Sequence, residues 1–194
     1  MLPRGVLRVC FGICWKEQLI IGSDQTISRY HIDFSLKNGL GKPALSLYLT
    51  GCDKPVKCED CHNYELQDRS KQDYNLRKIK EKIKVHIENF KDFYDHIIIC
   101  YLGGEPLTDY NKEITYEISK YVKKKYSAEN ILYSWRTIKK IKEDNKSEFI
   151  KYMDYGVLGS YNDKLFVKNT IPASKNQFIY DFNKNRKLNS IKLN

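Results

Sequence analysis

The chain concentrates its chemically reactive side chains in one stretch, YLTGCDKPVKCEDCHNYEL, which carries Cys52, Cys58 and Cys61 within ten residues. Clustered thiolates bind metals or do redox chemistry. Structural zinc takes four protein ligands, whereas catalytic zinc takes three and keeps one position open. A cubane iron-sulfur cluster normally takes four cysteines. Three cysteines therefore indicate either an incomplete ligand set or a site kept open for a ligand from outside the protein.

Two other interpretations of the cysteines stay open at this point. A zinc knuckle would use His62 as its fourth ligand, but Cys61 and His62 are adjacent and would reach one metal only in poor geometry. Cys10 and Cys14 have helical spacing, which suits either an auxiliary metal or redox pair or two small buried side chains. We do not include them among the ligands. Cys100 lies inside an apolar run and is predicted to be a core residue.

A second motif, GGEP at residues 103–106, directly follows the apolar run HIIICYL. Glycines let another group approach the backbone closely, and exposed carbonyl oxygens accept protons from an ammonium group. Alone, the motif also fits an ordinary turn. Because it follows a predicted strand and the cysteines lie upstream, a binding role is favoured.

Alternating strands and helices are predicted to position both motifs. Apolar runs predict strands at residues 44–50, 96–102, 129–135, 155–161 and 177–182. Helical spacing of apolar residues predicts helices at Leu76 to Phe90, Ile114 to Val122 and Ile138 to Phe149. This order favours an α/β fold with a parallel sheet and right-handed crossovers. Ligands of such sheets bind beyond the carboxyl ends of the strands, where both motifs fall.

Composition narrows the function classes. The 194 residues fit a single domain, 1–194. The net charge of +10 comes from lysines and arginines scattered among acids, which indicates solvated helix faces, so we do not expect nucleic-acid binding. No apolar run reaches the roughly 20 residues of a membrane span. The N-terminus lacks a signal-peptide cleavage site, so a reducing cytoplasm is expected, where clustered cysteines favour metal over disulfides.

The cysteine loop and GGEP together resemble the radical S-adenosylmethionine (SAM) superfamily. Within it, the chain resembles the small activating proteins of anaerobic ribonucleotide reductases, because MDYGVLGSYNDKLF and KNQFIYDF are similar to their late strands. The resemblance covers residues 44–182 as the core, and residues 1–43 match only weakly. It implies a partial (β/α) barrel with helices outside the parallel sheet.

The resemblance also implies a site. The metal ligands would be Cys52, Cys58 and Cys61, which would hold three irons of a [4Fe-4S] cluster while SAM takes the fourth. The SAM-binding residues would be Gly103, Gly104, Glu105, Pro106, Ser134 and Arg136, the last two contacting the SAM carboxylate or ribose. No catalytic acid or base is implied. His62 and Asn63 are expected either to hold the cluster loop or to cap the next helix.

The implied activity is an oxidoreductase that cleaves SAM reductively to a 5′-deoxyadenosyl radical and so generates a glycyl radical on a partner reductase. An electron donor such as flavodoxin or ferredoxin would be a second partner. The alternatives are a stand-alone radical SAM enzyme that modifies a peptide or small molecule, and a non-catalytic metal-binding or electron-transfer module. The chain departs from the family pattern in two places: five residues separate Cys52 from Cys58 where the family has three, and Asp60 replaces a residue that is often aromatic.

Overall fold

The structure, a computed structural model, describes residues 30–68, 74–93 and 96–193. The strands are β1 (Tyr30–Gly39), β2 (Lys42–Leu49), β3 (Ile98–Gly103), β4 (Glu129–Ser134), β5 (Tyr155–Leu158), β6 (Thr170–Ile171), β7 (Phe178–Asp181), β8 (Arg186–Leu188) and β9 (Ile191–Lys192). The helices are α1 (Leu76–Phe90), α2 (Lys112–Tyr126) and α3 (Ile138–Glu143). Cys10 and Cys14 lie outside the described residues.

The central strands form because their apolar runs are covered on both faces. In β2 every residue from Ala44 to Leu49 is buried, and in β3 every residue from Ile98 to Leu102 is buried. Continuous burial of this kind is typical of parallel strands. The five strands predicted from apolar runs are therefore confirmed as β2, β3, β4, β5 and β7, with small differences at their ends.

Seven of the described strands form one mixed sheet in the order β1-β2-β3-β4-β5-β7-β8, and β6 pairs with β9 separately. Neighbours from β2 to β5 are parallel. The edges are antiparallel, because β1 pairs with β2 and β7 pairs with β5 and β8. The fold is thus α/β with a parallel centre, as expected, and with antiparallel edges that the sequence pattern did not predict.

Helices α1 and α2 pack on one face of this sheet. Their isoleucines, including Ile79, Ile83 and Ile118, form one core cluster with Leu45, Leu47 and other residues of β2 and β3. The Asn75 side chain caps α1 by accepting a hydrogen bond from the Lys78 amide. The outer helix faces carry exposed charges, among them ion pairs four residues apart, which agrees with the expected solvated faces.

Two predicted elements end earlier than expected, each where the backbone turns left-handed. The third helix stops at Glu143 because Asn145 has a φ of 54°, and Phe149 belongs instead to a short 3-10 turn, Ser147–Ile150. Strand β5 stops at Leu158 because Gly159 has a φ of 109°. Left-handed residues cannot continue either a helix or a strand. No helix within the described ranges has the length and hydrophobicity needed to cross a membrane.

Candidate metal centre

The two motifs meet at the carboxyl ends of β2 and β3, as predicted. Leu49 at the end of β2 lies opposite Gly103 at the end of β3 in a parallel pair. The Gly104 amide donates to the Leu49 carbonyl at 2.8 Å, and the Glu105 amide donates to the Gly51 carbonyl at 2.8 Å. The base of the cysteine loop is therefore bonded to the GGEP turn through the main chain.

Close packing of the protein's own backbone explains both glycines of the turn. A Cβ at Gly103 would lie 2.1 Å from the Leu49 carbonyl oxygen, and one at Gly104 would lie 2.1 Å from the Gly51 oxygen. Gly103 also has a φ of 118°, which favours glycine. The close approach at these two glycines therefore comes from the protein's own backbone, and contact of Gly103 and Gly104 with SAM stays a prediction. The Gly104 carbonyl accepts no hydrogen bond from the described residues.

The three cysteines of the loop are free thiols. Cys52 is buried, and Cys58 and Cys61 are half-buried. Burial raises the pKa of Cys52, and the nearby Lys57 ammonium acts in the opposite direction. Residues 55–57 between the first two cysteines are exposed, so the unusually long interval extends into solvent at its middle.

Two lysines cross-link this interval. The Lys57 ammonium donates to the Cys52 carbonyl, and the Lys54 ammonium donates to the Val56 carbonyl. Val56 between them is 77% exposed. The interval is thus a compact turn and not an open loop.

The donors fit an iron-sulfur cluster better than a single ion. Within the described ranges, no three His, Cys, Asp or Glu side chains are grouped to hold one metal ion. The zinc-knuckle set of three cysteines with His62 is therefore not assembled. A cubane cluster takes one thiolate at each iron, so its cysteines do not have to meet at one point. Three free thiols in one loop have the donor type and number that such a cluster needs when one iron stays open.

His62 and Asn63 pack beside the loop. The His62 ring lies 4.6 Å, centroid to centroid, from the ring of Tyr161, which follows β5. Burial and a hydrogen bond to Asp163 raise the pKa of Tyr161 to about 12. Asn63 precedes the short 3-10 turn Tyr64–Leu66, but its side chain makes no capping hydrogen bond. Side-chain capping by Asn63 is not observed, and a role of His62 in holding the cluster loop by hydrogen bonds stays a prediction.

Glu105 is fully buried below the cysteine loop. Its carboxylate accepts hydrogen bonds from the Leu107 amide at 2.9 Å, the Ser134 hydroxyl at 2.9 Å and the Trp135 amide at 3.1 Å. Burial raises the pKa of Glu105 to about 7, although the Arg136 guanidinium and these hydrogen bonds act in the opposite direction. Ser134 and Glu105, both predicted as SAM-binding residues, are therefore brought together by a direct contact.

Arg136 is buried, with a side chain only 3% exposed. Its guanidinium contacts three carboxylates: Asp53 at 2.6 Å, Asp144 at 2.9 Å and Glu105 at 3.3 Å. Burial lowers its pKa, but the three acids outweigh this effect and raise the pKa above the usual value. The Nη1 atom makes no hydrogen bond.

Sequence reasoning missed Asp53, Asp144 and Trp135 as members of this site. The Trp135 indole donates to the Asp53 carboxylate at 3.3 Å, so both Asp53 oxygens are engaged by residues that follow β4. The signal available in the sequence was the position of Asp53 directly after Cys52 and of Trp135 at the end of a strand. Contact of SAM with Ser134, Arg136 and Pro106 stays a prediction.

Cys100, His86 and His96 lie among residues other than those of the cysteine loop. Cys100 is fully buried and its thiol contacts the Asn38 carbonyl at 3.2 Å. His86 stacks on Phe90, and burial lowers its pKa. His96 lies 3.7 Å from Glu129.

Residues 37–180 match the family model described as a 4Fe-4S single cluster domain. No curated protein matches the chain. No solved structure matches it either. The matched range contains all three loop cysteines, the GGEP turn and the residues that follow β4. Because the match covers about three quarters of the sequence, the chain belongs to the family of 4Fe-4S single cluster domains.

Proposed function

We propose that this chain is a radical SAM enzyme that uses one [4Fe-4S] cluster to cleave SAM reductively. The observation that supports this most strongly is the junction of its two motifs. A loop with three free cysteines is bonded, main chain to main chain, to a GGEP turn at the end of the neighbouring parallel strand. The family match supports the presence of the cluster. Three cysteines leave one of its four irons without a protein ligand, so one iron stays open.

The chain's own residues would hold and orient the two cofactors. Cys52, Cys58 and Cys61 would be the cluster ligands. The Gly104 carbonyl, which accepts no bond from the described residues, is available to the SAM ammonium group. When bound, the cluster and SAM together supply the electron transfer and bond cleavage that give methionine and a 5′-deoxyadenosyl radical. The protein supplies orientation and shielding from water, and no side chain has to act as a general acid or base.

We extend the proposal to a partial (β/α) barrel, with residues 44–182 as its core. The parallel strands β2 to β5 are neighbours in the order in which they occur in the chain. Sequential right-handed crossovers place every helix on the same face of a sheet. The core cluster that joins α1 and α2 to the same strand face supports this arrangement. The opposite strand face carries a second buried cluster, which includes Tyr48, Cys100 and Ile131, so the substrate would meet this barrel at the carboxyl ends of the strands.

We propose a glycyl-radical reductase as the protein substrate and a flavodoxin- or ferredoxin-like electron donor in the cytoplasm. Exposed apolar side chains near the cysteine loop support a macromolecular substrate. Val56 lies between the first two cysteines and Tyr64 follows the third. Leu165 and Phe166 belong to the segment that contacts the loop through Lys164 and Glu59 at 3.9 Å. Exposed apolar patches beside a site are typical of surfaces that bind another protein.

Two alternatives have a specific observation in their favour. The compact five-residue interval after Cys52 departs from the activating proteins and favours a stand-alone enzyme that acts on a peptide or a small molecule. The matched family is described by its cluster alone, which favours an electron-transfer module without catalysis. The first alternative predicts SAM cleavage without a reductase, and the second predicts a stable cluster without SAM cleavage.

The test is anaerobic reconstitution with iron and sulfide, followed by SAM and a strong reductant, with 5′-deoxyadenosine as the product measured. Cys58→Ala is the loss-of-ligand variant, and Cys100→Ala is the matched control because Cys100 is a fully buried thiol away from the loop. We expect product from the wild type and Cys100→Ala and none from Cys58→Ala. A loaded cluster that gives no product with several reductants, with or without candidate substrates, would overturn the proposal in favour of the electron-transfer module.

A further inference from the structure

Asp53 occupies an unusual place in the cysteine loop. It directly follows Cys52, yet its carboxylate points to residues two strands away in the sheet. Arg136 Nη2 contacts one carboxylate oxygen at 2.6 Å, and the Trp135 indole donates to the other at 3.3 Å. Both partners come from the segment that follows β4. The first cysteine of the loop is therefore tied to that segment through its neighbour.

Arg136 extends this link to the GGEP turn. Its guanidinium also lies 3.3 Å from Glu105, the acid of the motif, and 2.9 Å from Asp144 after α3. A guanidinium that is 3% exposed depends on these acids, because an unpaired buried charge is strongly unfavourable. One cation thus joins the cysteine loop, the GGEP turn and the end of α3.

We propose that Asp53 is a positioning residue that holds Cys52 against the GGEP turn before any cofactor binds, with Arg136 and Trp135 as its partners. This inference rests on the proposed function. It gives Arg136 a role different from direct contact with SAM: two of its nitrogens, Nη2 and Nε, already bond protein carboxylates. A SAM carboxylate that bound Arg136 would have to compete with Asp53, Asp144 and Glu105.

The long interval between Cys52 and Cys58 explains why such a link is useful in this chain. Two additional residues give a loop more conformations, although the entropy cost of closing it grows only slowly with length. The lysine bonds join the interval to itself and to Cys52, and main-chain bonds fix Gly51 and Cys52. Asp53 adds the side-chain link between the start of the interval and the segment that follows β4.

The experiment measures how fast a chelator removes iron from the reconstituted full chain, by loss of the cluster's visible absorbance, in the absence of SAM. The variants are Asp53→Asn and Asp53→Ala, with Asp53→Glu as the conservative rescue. Asp60→Asn is the matched control, because Asp60 is an exposed acid beside Cys61 whose left-handed backbone, with a φ of 51°, tolerates asparagine. Partners that orient metal ligands typically change metal affinity by about 10- to 100-fold.

We expect iron loss to be about 10-fold faster or more in Asp53→Asn and Asp53→Ala. Asp53→Glu should fall closer to the wild type, since it keeps the charge, and Asp60→Asn should match the wild type. Equal rates for Asp53→Asn and the wild type would overturn the inference. The two proposals can fail separately. If the Asp53 variants lose iron faster than the wild type, but the wild type makes no 5′-deoxyadenosine, the positioning role is supported and the proposed function is overturned. A wild type that takes up no cluster would overturn both.

Discussion

Replacement of Glu105 by glutamine gives a sharp prediction about the buried acid of the GGEP turn. Glu105 is fully buried and accepts hydrogen bonds from the Leu107 amide, the Ser134 hydroxyl and the Trp135 amide. Glutamine keeps the shape and removes the charge, but its NH₂ group cannot accept a hydrogen bond. One donor is then left without a partner, which costs about 1–3 kcal/mol.

The pH dependence follows from the raised pKa of Glu105. Burial raises that pKa from 4.5 to about 7, so the folded state holds a proton that the unfolded state has already released between these values. The stabilisation from this group is fully present below pH 4.5 and is lost as the pH rises through 7. Between pH 5 and pH 8, the loss amounts to roughly 2–3 kcal/mol.

The assay is equilibrium unfolding in urea of the metal-free full chain at pH 5, 6, 7 and 8. The quantity compared is the free energy of unfolding of the wild type minus that of Glu105→Gln. His86, whose pKa is lowered by burial, contributes a slope of opposite sign, but it is present in both chains and cancels in the difference. Glu148→Gln is the control, because Glu148 is exposed.

We expect the free energy of unfolding of the wild type, relative to that of Glu105→Gln, to fall by roughly 2–3 kcal/mol between pH 5 and pH 8. Glu148→Gln, which replaces an exposed side chain, controls for the general effect of removing one acid from the chain. A difference between the wild type and Glu105→Gln that is constant from pH 5 to pH 8, or that grows with pH, would refute the reasoning about burial.

Two further substitutions test the packing that supports the site. Gly104→Ala would place a Cβ 2.1 Å from the Gly51 oxygen and should lower the free energy of unfolding by about 2–4 kcal/mol. Gly156→Ala is the control, because its Cβ meets only side chains, at 3.0 Å. It should lower the free energy of unfolding clearly less in the same urea titration. Asp154→Asn weakens contacts with the Lys123 ammonium at 2.6 Å and the Asn130 backbone amide at 2.8 Å. It should lower the free energy of unfolding by about 1–3 kcal/mol. The loss stays in this range because Lys123 is 39% exposed and can regain water. Thermal unfolding measures this effect, and an unchanged midpoint would contradict it.

The central strands and the meeting of the two motifs could be predicted from the sequence because both depend on local patterns. Leu45, Leu47 and Leu49 belong to a continuous apolar run that only a strand buried on both faces explains. Cys52 directly follows this run and Gly103 ends the next one. Parallel pairing then brings their carboxyl ends together without further information.

Strand β1 could not be predicted, because its residues alternate weakly between buried and exposed. The turn that joins it to β2 uses a left-handed Leu40, with a φ of 55°, before Gly41. Asn38 and Gly39 form a pair that favours hairpin turns, but the residues in the left-handed region are Leu40 and Gly41, and a left-handed leucine is uncommon. The antiparallel edge of the sheet was missed for this reason.

The buried ion pairs of Arg136 could not be predicted from the sequence for a different reason. An arginine that follows a strand is usually exposed, and its partners Asp53 and Glu105 are far away in the chain. Only the sheet order, which places β4 two strands from β2, brings these charges together. Patterns of hydrophobic residues carry no information about such pairs.

Mössbauer spectroscopy of the chain reconstituted with ⁵⁷Fe tests the central claim most directly, namely that three cysteines hold a cluster whose fourth iron stays open. The account predicts two kinds of iron in a ratio of about 3:1, with the minor signal shifting when SAM is added and the whole cluster signal lost in Cys58→Ala. Four equivalent irons that SAM leaves unchanged, or a full cluster signal in Cys58→Ala, would contradict it.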